Sequence, residues 1–279
     1  MRRLALLVCL AGCTRPAPPA VTRDFVDARG KTVAVPYPPR RIVSIVPGAT
    51  ELLFAAGAGG QVVGVTTYCD HPPEARTRAK IGDIVVDMER LMALQPDLVV
   101  TSWSVTRQTT AQIEARGFPV FAVDPTNLEE IARAIRTLGE VTGHEADASA
   151  AAAALLERVR SVKSVPGPTF YFEHSGDPIG TTGPESYAGD ALRRAGGRNI
   201  FEGGWKMIDW EAVVARDPEI ILIAHDQRER LKGRAGWAEL RAVKAGRVHT
   251  VAKEHFVYPT PRLVEGLEEA ARIFHAKGP

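Results

Sequence analysis

Two glutamates stand at matching places in a duplicated string, and the chemistry they offer is a carboxylate presented to a cationic partner. "DMERLMALQPDLVV" at 87–100 is echoed 122 residues later by "DWEAVVARDPEIIL" at 209–222. Each copy reads Asp-x-Glu, a short apolar-patterned run, Pro followed by an acid, and an aliphatic string. The pattern predicts a short helix, a break at Pro96 or Pro218, and a buried strand. Asp87 and Asp209 are expected to cap their helices, which puts Glu89 and Glu211 in the first turns. A carboxylate there is favoured by the helix dipole, by under about 1 kcal/mol at the surface. One such glutamate needs no further role. Two at equivalent points of a repeat present paired carboxylates on one rim, which suits a two-fold partner with an arginine on each half.

The remaining chemistry-bearing residues favour binding over catalysis. "EHSGD" sets Glu173, His174 and Ser175 side by side, but neighbours in a strand face opposite sides and form no relay. The chain has no G-x-x-x-x-G-K-[ST] phosphate loop and no G-x-S-x-G elbow, and "GAGG" at 57–60 lacks the full dinucleotide fingerprint. An exported enzyme is therefore the weakest alternative. His71, His174 or Tyr68 could ligate the iron of a haem or ferric siderophore. His174, His225, His249 and His255 could in principle converge on zinc or manganese, but no His-rich loop supports it, and no metal site is expected. Tyr68 in "TTYCDHPP", Trp103 in "TSWSV" and Trp205 lie at strand or helix ends, where loops line the clefts of α/β folds. Rigid aromatic walls with a few polar groups suit a large plate with apolar faces and a polar fringe. Phe201 and Trp210 are expected to be core or cleft-support residues, and Tyr187 to pack its helix.

Composition narrows the class. A formal net charge of +2 and the lack of a long single-sign run give no basis for nucleic-acid binding. With 279 residues, 45% of them hydrophobic, the chain can build one large domain or two modest ones. "MRRLALLVCLAGC" puts two arginines before an apolar stretch too short to span a bilayer, an export signal. Leu10-Ala11-Gly12-Cys13 resembles a bacterial lipobox, which implies a lipid on Cys13, a membrane anchor and a mature chain that begins there. "TRPAPPAVTR" (14–23) reads as a stiff tether. With Cys9 in the signal and Cys13 lipidated, Cys69 has no disulfide partner and is read as a small buried residue.

The elements that must position these groups alternate. Strands at 40–46, 61–68, 98–102 and 118–124 are interleaved with helices, and so are strands at 169–175, 219–224 and 246–252 in the second half. Helices are expected at 88–95, 185–197, 210–216 and 261–276. That order implies an α/β fold of two Rossmann-like lobes with parallel sheets. Between the lobes, "HEADASAAAAALLERVRSVKS" (144–164) is rich in helix formers, with acids early and bases late. It reads as one long joining helix. The expected layout is a signal at 1–12, a tether at 13–23, lobes at 24–143 and 165–279, and the helix at 144–164.

At this point the chain resembles the helical-backbone (class III) substrate-binding proteins of bacterial ABC importers, and among them the cobalamin-binding group. The resemblance covers nearly the whole mature chain. It is carried by "RIVSIVPGATELLFAAGAGGQVVGVTTYCDHPPEA" (41–75), "MERLMALQPDLVV", "TTGPESY", "GGRNIF" and "PRLVEGLEEAARI". It implies a monomer outside the cytoplasm that holds a corrinoid in the inter-lobe cleft with little closure, and has no cofactor of its own. It also implies delivery to a dimeric permease with its ATPase subunits, docked through Glu89 and Glu211. Tyr68, Trp103, Trp205, Glu254 and Arg262 match the family's cleft residues. "EHSGDP" (173–178) departs from the pattern, standing where the family has an aromatic-bearing stretch.

Overall fold

The computed structural model describes residues 21–276 apart from 84, 164 and 227. The expected signal, Cys13 and most of the tether lie outside the described residues. The fold begins with a hairpin of β1 (Thr22–Val26) and β2 (Thr32–Pro36). Thr22 and Arg23, read from sequence as the end of the tether, are thus paired strand residues. The first lobe continues through β3 (Ile42–Ser44), α1 (Pro47–Ala55), β4 (Val62–Val65), β5 (Ala79–Lys80) and α2 (Met88–Ala93). Then come β6 (Leu98–Thr101), α3 (Trp103–Glu114) and β7 (Val120–Ala122). Its five-stranded sheet is parallel, in the order β5-β4-β3-β6-β7.

Two helices, α4 (Leu128–Thr142) and α5 (Glu145–Ser161), lead to the second lobe. That lobe opens with β8 (Thr169–Glu173), β9 (Ser175–Gly176), β10 (Ile179–Thr182), α6 (Tyr187–Arg194) and β11 (Arg198–Asn199). It continues with β12 (Trp205–Met207), α7 (Glu211–Arg216), β13 (Ile220–Ile223), α8 (Arg228–Leu231) and α9 (Arg241–Lys244). β14 (Val248–Thr250) and α10 (Leu263–His275) complete it. The main sheet is parallel, β11-β8-β13-β14. A small antiparallel sheet, β12-β10-β9, lies beside it. The sequence pattern implied parallel sheets alone, but the tight turn at Asp177-Pro178 folds β9 back on β10. Strands such as Leu98–Val100 and Ile220–Ile223 are fully buried, as parallel strands covered on both faces must be.

The duplicated string does the same structural work in each lobe. Both copies give a six-residue helix followed by a central strand, β6 or β13. Gln95 and Asp217, at the same register, are the described non-glycine residues with positive φ, at 44° and 39°. A left-handed residue ends the helix, and the proline after it prevents resumption. The acid that follows clamps a neighbouring strand. Asp97 accepts from the Arg40 and Arg41 N–H groups just ahead of β3, and Glu219 accepts from the Thr169 N–H and hydroxyl at the start of β8. One difference separates the copies. The Asp87 carboxylate caps α2 by accepting from the Glu89 and Arg90 N–H groups, whereas Asp209 does not cap α7. Trp210 occupies that cap position instead, its buried indole held by an Nε1–H bond to the Ala235 carbonyl at 2.7 Å. Packing of the tryptophan thus sets where the helix starts.

The joining helix α5 spans 17 residues, about 26 Å at 1.5 Å per residue. It is shorter than the 144–164 stretch, because Val162 already turns extended on the way to β8. Ala148, Ala152, Leu155 and Val159 form its buried stripe. Small residues let α4 approach closely: a Cβ on Gly139 would stand 2.2 Å from that of Ala148. Arg158 pairs with Glu268 of α10, and Arg194 of α6 pairs with Glu129 of α4. One apolar cluster runs from Val35 and Leu52 in the first lobe through Leu138 and Leu155 to Phe170 and Phe274 in the second. A shared core of this kind makes a stiff connection.

Candidate ligand cleft

In both parallel sheets the loops leaving the strand carboxyl ends look toward one another, the usual place for a ligand in open α/β sheets. They enclose a hollow of about 700 Å³. The loop after β4 contributes Tyr68, Asp70 and His71; the second lobe contributes His174, His225, Glu254, Tyr258 and Arg262. A second hollow of about 580 Å³ runs along the flank of α1 and shares His71 and Arg262 with the first. Two cavities thus meet at one corner.

Tyr68 projects from a tight turn, half of its surface open. Beneath it lies Cys69, fully buried, its Sγ 3.1 Å from the Thr66 hydroxyl. Burial pushes this thiol's pKa up, so it is a neutral filler that seats the loop. Across the cleft, His174 stands edge-on to Trp205 with ring centroids 4.8 Å apart. It lies so close over Gly180 that a Cβ there would come within 2.5 Å of the imidazole. Burial and the neighbouring His225 hold the His174 pKa below the ordinary value, so the ring is neutral at neutral pH. Trp205 backs His174 without itself lining the hollow, and packs at a tilt against Tyr187, ring centroids 5.3 Å apart. The Tyr187 hydroxyl donates to the Val257 carbonyl and ties this wall to the Glu254 segment.

Behind His174 sits a group that sequence patterning passed over. Glu173, fully buried at the end of β8, accepts from Arg234 Nη1 at 2.7 Å and Nη2 at 3.1 Å, and from the Tyr171 hydroxyl at 2.8 Å. His225 Nε2 lies 2.9 Å from Glu173 Oε1, the oxygen that Arg234 Nη2 also reaches. Burial and the Glu173 carboxylate raise the Tyr171 pKa far above its ordinary value, so the phenol stays a donor. The alternation of a strand sends Glu173 inward and His174 to the cleft.

The matched residues do not all converge. Tyr68, Glu254 and Arg262 line the main hollow, and Trp205 stands one layer back. Trp103 does not line it; it opens α3 with the Arg29 and Arg107 guanidinium groups 5.4 and 5.6 Å from its ring centre. Arg262 carries a partner that the sequence did not suggest. Its Nε and Nη2 donate to Glu51 of α1 at 2.9 and 2.5 Å, so the two lobes are joined by a bidentate ion pair beside the cleft. Burial opposes the charge on Arg262, but the Glu51 carboxylate more than offsets this and raises the pKa. The only sequence signal for Glu51 was a lone carboxylate in the apolar run "ATELLFAAG".

Two Rossmann-like lobes on a stiff helical spine, closing on one polar hollow at their strand ends, define a bilobal ligand-capture protein. Residues 42–254 match the periplasmic binding protein family, and the chain belongs to it. The chain is 31% identical to the uncharacterised ABC transporter substrate-binding lipoprotein YvrC of Bacillus subtilis, over 98% of this chain and 95% of that protein. Among solved structures it resembles the periplasmic vitamin B12 binding protein BtuF of Vibrio cholerae, with a TM-score of 0.76 and 25% identity over 85% of this chain and 97% of that one. It also resembles a periplasmic heme binding protein from Pseudomonas aeruginosa, with a TM-score of 0.74 and 27% identity over 86% of this chain and 95% of that one. The protein is thus an extracytoplasmic binding component of ABC transport rather than an enzyme, and what such proteins carry is a transported ligand, not a cofactor.

Proposed function

We propose that this protein captures a corrinoid, cobalamin in the first instance, between its lobes and hands it to an ABC permease. The observation that carries this reading is the pair of hollows meeting at His71 and Arg262. A corrinoid is a plate with apolar faces and an amide fringe, and cobalamin adds a side arm below the plate. A main hollow with an annex suits that shape better than it suits a simple plate. Tyr68 and His174, the latter backed by Trp205, offer ring surfaces to the plate, while Glu254 and Arg262 offer polar contacts to its fringe. A haem ligand is the second reading, favoured by the three cleft histidines His71, His174 and His225. The monomer would be held at a membrane surface by a lipid on Cys13. It would dock on a dimeric permease through Glu89 and Glu211, which are exposed on first-turn positions of α2 and α7.

Titrating a fragment that starts at Val21 with cyanocobalamin should give one-to-one binding by calorimetry. Tyr68→Ala should weaken it by about tenfold, the loss of an aromatic face, and Trp205→Ala by a similar factor, through loss of the support behind His174. No heat with cyanocobalamin, but a Soret band on adding haemin, would transfer the assignment to haem. In cells, Cys13→Ser should move the full-length protein from the membrane to the soluble fraction. A membrane share equal to wild type would remove the lipid anchor from the proposal.

A further inference from the structure

The two acidic corners carry more than acids. Among the described residues, Val85 is 76% exposed and Met207 is 60% exposed. Exposed side chains of this size are ordinary when scattered, but these two are not scattered. Each stands four residues before its glutamate, Val85 before Glu89 and Met207 before Glu211, so they occupy the same register of the internal repeat. Met92, also exposed, lies one helical turn beyond Glu89 and shares its face.

The backbone holds both apolar side chains out. Val85 sits in a turn closed by the bridge between Gly82 and Val86, and its N–H donates to the Asp83 carboxylate. Gly82 has φ +112°, and a Cβ there would meet the Val85 carbonyl oxygen at 2.4 Å, so the bend requires glycine. Met207 is paired with Gly180 in the small sheet, and the next residue, Ile208, donates to the Ile179 carbonyl. Both corners also border the cleft. The Thr67 N–H, next to Tyr68, donates to the Gly82 carbonyl, and Gly180 underlies His174. Because α2 and α7 each lead by a short connection into a parallel strand, their N-termini lie at the strand carboxyl ends, on the cleft side of each lobe.

We infer that each corner is a two-part contact, a carboxylate with an apolar knob four residues ahead of it. The partner is a two-fold membrane permease that presents, on each half, an arginine beside an apolar recess. This rests on the docking role proposed for Glu89 and Glu211. The division of labour follows from interface chemistry: charge steers and orients, whereas a buried apolar side chain slows dissociation. Duplication of both parts at one register is what a two-fold partner demands and what a single-site partner does not.

The test uses the full-length protein in membranes of its source cells, with a photo-crosslinking phenylalanine derivative at Val85, at Met207 or, as control, at Val26, which is 62% exposed on the β1 hairpin. Val85 and Met207 should both crosslink to the same permease subunit, and Val26 should not. Val85→Ser with Met207→Ser should weaken binding to the purified permease by about tenfold while the thermal midpoint stays at the wild-type value. A crosslink from one corner only, from neither, or equally from Val26 overturns the inference, as does wild-type binding by the double serine variant. Glu89→Ala with Glu211→Ala separates the two levels. If the glutamates matter and the knobs do not, only the knobs are lost. If neither pair matters, the docking reading falls as well.

Discussion

Replacing Glu173 with alanine is expected to lower the unfolding free energy by about 3–5 kcal/mol, the usual cost of stripping one partner from a buried ion pair. The reason lies in what stays behind. The Arg234 guanidinium has a side chain only 14% exposed and would keep the Gly176 carbonyl but lose the Glu173 carboxylate. It lies over the Trp210 ring at 4.8 Å, and that ring belongs to the core of the second lobe, so it cannot swing out to water without opening that core. The Tyr171 hydroxyl, fully buried, would lose its acceptor too, adding the cost of an unsatisfied donor. A shift of the urea midpoint in the Val21 fragment measures the effect. Pairing Glu173→Ala with Arg234→Met should recover much of the loss, since the uncompensated charge goes with the arginine. Equal midpoints for the single and double variants would show that the hub is a packing feature rather than an electrostatic one.

This hub shows where sequence patterning ends. The lobes, their parallel strands and the repeat were legible because apolar runs, prolines and glycine stops are local signals. The string at 87–100 and 209–222 even predicted equivalent strands, and the shared left-handed residue before each proline explains why the spacing is kept. The alanine-rich span was legible as a helix from composition alone. α4 passed unread although Leu128, Ile131, Ala132 and Ile135 carry the spacing of a buried helix face. The antiparallel β12-β10-β9 sheet was invisible because its strands are two to four residues long. At the cleft, Tyr68, Trp103, Glu254 and Arg262 were all matched by resemblance; Tyr68, Glu254 and Arg262 line the main hollow together, whereas Trp103 does not line it. The ion pairs of Glu173 and Glu51 went unread for the same physical reason. Each glutamate is a carboxylate inside an apolar run whose partner lies far along the chain, and periodicity carries no information about such pairing.

The second large effect belongs to Glu51. Its side chain is 4% exposed and faces an arginine 211 residues away, on the other lobe. Glu51→Ala leaves the Arg262 guanidinium, its side chain 16% exposed, without its bidentate partner, though it can still reach solvent through the two hollows that it lines. A destabilisation of about 3 kcal/mol is expected, at the low end for buried pairs because that escape exists. The same substitution should weaken ligand binding. Arg262 lines both hollows, and Glu51 fixes it in a bidentate geometry before the ligand arrives, so removal adds an ordering cost to binding. The exchange Glu51→Arg with Arg262→Glu separates these roles: it should restore part of the urea midpoint by re-forming an ion pair, yet leave affinity for cyanocobalamin low because the cation has moved out of the main hollow. Recovery of both would mean that the pair serves only to hold the lobes together. An unchanged midpoint for Glu51→Ala would mean that water already screens it. The first pattern alone is consistent with an ion pair that both braces the two lobes and sets one wall of the site between them.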